Sequence, residues 1–338
     1  MLFLDAIHCQ NHSRPPVWIM RQAGRYMPEY RQIRSQYNFQ EMIHKPELAA
    51  EVTLLPIHAF DMDAAIIFSD ILTIPESLGR PFQFKEGIGP VLENPLTSPQ
   101  DLDSLTPTTS LDFVAEAIKL VKPQISVPLI GFCGAPFTVA SYLIEGGSSR
   151  DLKKTKQWLL RDPASFHQLL DILTQATIKH LQLQISAGAD VVQIFESWAN
   201  HLGYSQLQEF CFPYINRIIS QVDAPVIFFG RGTVGVLEDL IQLKPHAIGL
   251  DWACDITQIR KNVPTNIALQ GNLDPQVLYA PHDTIRRECQ RILSGMEGDP
   301  GFIFNLGHGI LPDISPDAVK VLVETVKEFQ CAHESSPF

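Results

Sequence analysis

Short aliphatic and β-branched runs alternate with longer segments of helical period along the whole chain, at 16–20, 63–69, 127–133, 190–196, 224–229, 247–251, 266–270 and 302–306. Apolar runs of that length suit strands covered on both faces, and alternation with helices makes the sheet parallel. Eight βα units predict one (β/α)8 barrel across residues 1–338, with any active site at the C-terminal ends of its strands. The intervening segments agree. Residues 163–187 open with Asp162 as a cap and Pro163 at the first helical position, and carry Phe166, Leu169, Leu170, Leu173 and Ala176 on one stripe. Ser315-Pro316-Asp317 opens the last helix in the same manner, with Val319, Leu322, Val323 and Val326 as its buried face.

The stretch 75–110 breaks the alternation with Pro, Gly and Thr. Its Phe82-Gln83-Phe84 and Gly87-Ile88-Gly89-Pro90 pieces predict a hairpin excursion, too short to be a second domain. No internal repeat, low-complexity tract or linker divides the chain, and the end from Glu334 to Phe338 is expected to fray.

Composition then narrows the function. A hydrophobic content of 45% supports a large core, and a net charge of −11 argues against nucleic-acid binding, which needs a basic face. An anionic substrate must be drawn by a local basic pocket, against the field of the whole protein. Cys9, Cys133, Cys211, Cys254, Cys289 and Cys331 lie far apart with no Cys-x-x-Cys pair, as suits a reducing compartment. The histidines do not gather at zinc-site spacings, so no structural metal is expected. The opening Met-Leu-Phe-Leu-Asp lacks a basic n-region and a long apolar stretch, and no window approaches ~18 uninterrupted apolar residues. A soluble, cytoplasmic protein with no membrane partner is the expectation.

Polar groups collect where the predicted strands end. The first run breaks off into Met20-Arg21-Gln22-Ala23-Gly24-Arg25, two guanidiniums around a small turn, with Gln22 and nearby amides as neutral donors. Such a loop suits a carboxylate or phosphate, and structural salt bridges at a strand end are the competing reading. Asp70 follows Ala64-Ala65-Ile66-Ile67-Phe68-Ser69, so it either takes up a proton or finds a cationic or N–H partner, unless it simply caps a helix. Gly131-Phe132-Cys133-Gly134-Ala135-Pro136 leads into a helix carrying Tyr142, which reads as a ligand-facing or as a packed residue. Ser197 follows Phe195-Glu196 as a ligand or a cap. His308, between Gly307 and Gly309, has room to donate a hydrogen bond or to titrate near neutrality. No Gly-x-Ser-x-Gly elbow, P-loop or dinucleotide fingerprint occurs.

The stretches 20–30, 64–72, 131–138 and 305–309 resemble the signatures of the uroporphyrinogen decarboxylase family, and 249–252 and 269–275 match as well, so that the resemblance covers nearly the whole chain. It implies a distorted (β/α)8 TIM barrel, usually a homodimer, that removes carbon dioxide from the four acetates of uroporphyrinogen III and leaves methyls, giving coproporphyrinogen III. No metal or organic cofactor is implied. By the same resemblance Arg21, Gln22, Ala23, Gly24, Arg25 and Arg34 hold substrate carboxylates, Asp70 binds the pyrrole N–H groups, and Tyr142, Ser197 and His308 complete the pocket. Catalysis falls to Asp70, Arg21, Tyr142 and His308.

Three positions depart from the pattern: Leu55 where glutamine is usual, Arg231 where lysine is common and Asn200 where glycine is common. They bear on packing or rim contacts rather than on the reaction. Two other readings compete. A cobamide-dependent methyltransferase would need a zinc triad, a His-x-Cys near a strand end with a further Cys, and neither His246 nor His308 has a cysteine two residues on. A non-catalytic tetrapyrrole carrier would need carboxylate clamps but no Asp70.

Overall fold

The computed structural model describes residues 1–85 and 87–329; Cys331 and the end from Glu334 to Phe338 lie outside the described residues. Nine strands form among those residues: β1 (Ala65–Ile66), β2 (Phe82–Lys85), β3 (Gly89–Leu92), β4 (Leu129–Gly134), β5 (Val191–Glu196), β6 (Val226–Gly230), β7 (Ala247–Gly249), β8 (Ala268–Leu273) and β9 (Phe302–Leu306). β1 and β4 to β9 lie side by side in that order as one seven-stranded parallel sheet, and β2 and β3 pair as an antiparallel hairpin. The helices Pro163–Ala187 and Pro316–Lys327 start as their caps predict, with Asp162 accepting from the Ser165 N–H at 3.1 Å and Ser315 from that of Asp317 at 3.2 Å.

The expected eighth strand is the main difference. Residues 16–20 make one ladder bridge, Val17 to Phe304, because Pro15 and Pro16 have no N–H to offer and the chain turns at Met20. The segment nevertheless bonds on both sides. Phe304 donates to the Pro16 carbonyl at 2.9 Å, and Asp63, just ahead of β1, donates to that of Val17 at 2.9 Å. The expected strand 63–69 is likewise regular only over Ala65–Ile66, and no helix among the described residues is long and apolar enough to cross a membrane.

One apolar cluster draws Trp18, Ile130, Val191, Ile227, Ala268 and Ile303 from successive positions around the sheet. At its centre Trp18 Nε1 donates to Gln270 Oε1 at 3.0 Å and Gln270 Nε2 to Gln193 Oε1 at 3.2 Å. The first helix, Leu2–Ile7, buries Phe3, Ala6 and Ile7 in the same cluster and plugs the end where the strands begin. The other end, where the strands stop, is where a fold of this kind places its site.

Asp63 clamps the irregular edge. Its two oxygens take the Arg14 guanidinium at 2.8 Å each, and Oδ2 also accepts the Val17 N–H at 2.8 Å. Asp63→Ala leaves a partly buried cation and an N–H unpaired, and is expected to cost about 3 kcal/mol. Urea unfolding should show a lower midpoint at an unchanged slope.

Candidate active site

Local hydrogen bonds shape the arginine loop. Met20 donates to Asn305 Oδ1 at 3.0 Å and its carbonyl accepts from Ile310 at 3.0 Å, which lashes this loop to the one after β9. Gln22 is fully buried; its amide donates to the Ala64 carbonyl at 3.1 Å and its Oε1 accepts from Ile19 at 3.3 Å. Its side chain thus builds the turn, and the neutral donor expected to face a ligand points into the core instead. Arg21 adopts φ 64°, a region sparse for non-glycine residues, and lies exposed across Gly309. Neither Arg21 nor Arg25 makes an ion pair among the described residues, so salt bridging does not explain them. Ala23 and Gly24 are partly buried between them.

Asp70 finds an N–H partner without capping a helix, since the helix Thr73–Ser77 has Leu72 at its N-cap and no side-chain capping bond. Oδ1 accepts the Leu72 N–H at 2.8 Å, a local turn bond, while the second oxygen has no hydrogen-bond partner among the described residues. The residue keeps some exposed surface, yet dense packing on its other sides pushes the carboxyl up to about 6. The Leu72 N–H and the charge of Arg21 pull the other way, and Glu76 adds to the rise.

Tyr142, on the helix Pro136–Glu145, meets Trp198 edge-on at 5.8 Å. Burial raises its hydroxyl pKa, opposed by a hydrogen bond with Ser148 and assisted by the Asp70 charge. The hairpin holds Ser148 in place, since Leu92 donates to the Gly146 carbonyl at 3.0 Å and Val91 bridges Gly147. His308 packs edge-on against Phe229 at 6.1 Å and Trp252 at 6.2 Å. Burial, then Arg21 and Arg231, hold its imidazole down at about 4. Titration near neutrality is thus not what this histidine does: it stays neutral at pH 7, a hydrogen-bonding group. Arg21 acts electrostatically on Asp70, Tyr142 and His308, which come from three different strand ends.

Arg25 and Arg34 form a second basic group. Burial raises the Tyr30 hydroxyl and both guanidiniums oppose it, while the Tyr30 ring packs on Phe68 at 5.8 Å, two residues before Asp70. Arg34 also donates to the Tyr37 carbonyl at 3.0 Å. Ser197 is partly buried at the end of β5, with no hydrogen bond among the described residues. Behind it lies a feature the sequence did not suggest. Glu196 is fully buried and bonded by the Thr138 hydroxyl, which also accepts the Trp198 N–H at 3.3 Å. Burial, against that hydroxyl, pushes Glu196 up to about 7. The pair holds the Ser197–Trp198 turn against the Tyr142 helix. Trp198 and Trp252 were missed as site residues; their signals were standing two and three positions beyond the ends of β5 and β7 and, for Trp252, closing the family-like stretch 249–252.

Leu55 is a partly buried residue of the helix Pro46–Phe60 packed on the core, which accounts for an apolar side chain there. Among the described residues no three His, Cys, Asp or Glu side chains gather as a metal site, so the triad needed for the methyltransferase reading is not assembled there.

The fold is shared with a methyltransferase from Methanosarcina mazei, with a TM-score of 0.82 at 22% identity over 96% of this chain and 97% of that one. Closer in sequence is a uroporphyrinogen decarboxylase of Protochlamydia amoebophila (strain UWE25), 53% identical over 330 residues, which are 96% of this chain and 91% of the relative. Another from Roseiflexus sp. (strain RS-1) is 46% identical over 340 residues, 97% and 98% of the two chains. Residues 1–329 match the family model described as uroporphyrinogen decarboxylase (URO-D). With that match spanning all but the last residues, and with such identity over nearly the full length of these relatives, the chain belongs to the uroporphyrinogen decarboxylase family.

Proposed function

We propose that this chain is a carboxy-lyase that removes carbon dioxide from the four acetates of uroporphyrinogen III, leaving methyls and yielding coproporphyrinogen III. The observation that carries the chemistry is the free oxygen of Asp70, a desolvated carboxylate under the charge of Arg21. An acetate on a pyrrole loses carbon dioxide once the adjacent ring carbon is protonated. The C–CO2 bond then breaks, its electron pair neutralises the cationic ring, and carbon dioxide leaves. A second proton makes the exocyclic methylene a methyl, and the ring proton departs to restore the pyrrole. The balance is one proton consumed per carbon dioxide released, with the pyrrole as its own electron sink, so the step calls on no cofactor.

In this reading Asp70 accepts from the pyrrole N–H groups and stabilises the cationic ring. Arg21, with Arg25 and Arg34 at the rim, holds carboxylates. Tyr142 keeps its proton and donates a hydrogen bond, and Ser197 and neutral His308 complete the pocket. We read the architecture as a single-domain distorted (β/α)8 barrel with residues 16–20 as the eighth stave, supported by their hydrogen bonds to β9 and to Asp63. A cytoplasmic homodimer is proposed from the family.

Anaerobic incubation with uroporphyrinogen, followed by chromatography, tests the activity. Tetracarboxylate product is expected, and unchanged octacarboxylate would favour the carrier reading. The pH profile tests the assignment of Asp70. With its folded value at about 6, kcat/KM should fall about tenfold per pH unit below that value and level off above it. His308, at about 4, adds no limb between pH 6 and 8, so His308→Gln should keep the acid limb in place.

A further inference from the structure

We infer that Arg231 is a further substrate anchor, a guanidinium that binds a side-chain carboxylate of the tetrapyrrole on the side of the mouth opposite the Arg25 and Arg34 rim. The inference rests on the decarboxylase reading. Arg231 follows β6 directly, and its N–H donates to the Glu196 carbonyl at 3.0 Å, which ties it to the end of β5. Its guanidinium lies over the Trp252 ring at 5.8 Å, and Trp252 in turn meets His308 at 6.2 Å. Side chains from the ends of β6, β7 and β9 thus form one continuous row that runs into the site.

Arg231 is partly buried and makes no ion pair among the described residues, in a chain with 37 acidic side chains. The neighbouring acid is already committed. Asp251 accepts the Gly232 N–H at 2.6 Å through Oδ2 and the Ala253 N–H at 2.9 Å through Oδ1, which braces the Arg231 and Trp252 loops against each other. Asn200 packs against the same turn, where a side chain on Gly232 would meet its Cβ at 2.7 Å. A guanidinium so positioned, stacked on an indole and left without an anion, keeps its donor edge for a ligand carboxylate. Its charge reaches His308, and it also reaches His201, whose pKa is lowered by burial and then by Lys156 and Arg231. A basic arc therefore runs from Arg21 through Arg231 toward Lys156.

Steady-state kinetics of Arg231→Gln, Arg231→Met and Arg231→Lys test this. Either neutral variant should raise KM for uroporphyrinogen about tenfold with kcat within about twofold, and the charge-retaining Arg231→Lys should stay within about threefold of the parent KM. Arg231→Met keeps an apolar stem over Trp252, so it serves if Arg231→Gln folds poorly. An unchanged KM in the neutral variants, or equal losses in all three, would overturn the inference. Failure of the parent chain to decarboxylate uroporphyrinogen sinks the functional reading itself, whereas an active parent with insensitive variants sinks only the role of Arg231.

Discussion

Asp70→Asn is expected to lower kcat/KM by about 10³-fold while the fold survives, because in the proposed mechanism it removes the negative charge that stabilises the cationic ring. Asparagine keeps an oxygen for the Leu72 N–H, so the local turn is preserved. Stability should move in the opposite direction. The folded carboxyl, at about 6, lies above the ordinary aspartate value of ~3.9, which means that the protein disfavours the charged form. That penalty is absent at low pH, grows between the two values and is complete above about 6, where it amounts to at most about 3 kcal/mol. The variant escapes it. Its melting temperature should therefore equal or exceed the parent's at pH 8, with a smaller difference at pH 4. A variant that kept a tenth of the activity would remove Asp70 from the mechanism, and one that lost activity and stability together would make its role structural.

Gly309→Ala should disable the site from a residue that contacts no substrate in the reading above. The added methyl would lie 2.8 Å from both Cγ and Nε of Arg21. What must yield is a flexible exposed side chain, so the fold should lose little. The guanidinium, however, is pushed off the position from which its charge acts on Asp70, and a misplacement of about 1 Å costs about 10²-fold in rate. Two readouts separate this from general damage. The acid limb of the pH profile should move above about 6, since the Arg21 charge that opposes the rise in Asp70 is weakened. Arg21→Gln should shift it the same way, and the double variant should be scarcely worse than Arg21→Gln alone, because both changes remove one interaction. A fully additive double variant would refute the coupling.

How far the sequence carries varies by residue, for physical reasons. The helices at 163–187 and 316–327 were legible because a cap, a proline and a 3.6-residue stripe are local signals. The hairpin at 82–92 was legible from its turn residues. The stretch 16–20 looked like a strand from its apolar run, but a ladder needs donors and Pro15 and Pro16 withhold them. Gln22 was legible as part of the loop but not in its direction, since burial of its amide depends on the Ala64 carbonyl, 42 residues away.

By itself, then, the sequence determined the βα alternation, the starts of the helices at 163 and 316, the family signatures and the set of polar residues at the strand ends, all carried by neighbours along the chain. The tertiary structure alone decided how those residues ionise and which of them meet. Asp70 is raised by packing, and His308 is held neutral by burial together with Arg21 and Arg231, drawn from the ends of other strands. Desolvation and Coulomb interactions depend on distance through space, which no spacing along the chain encodes.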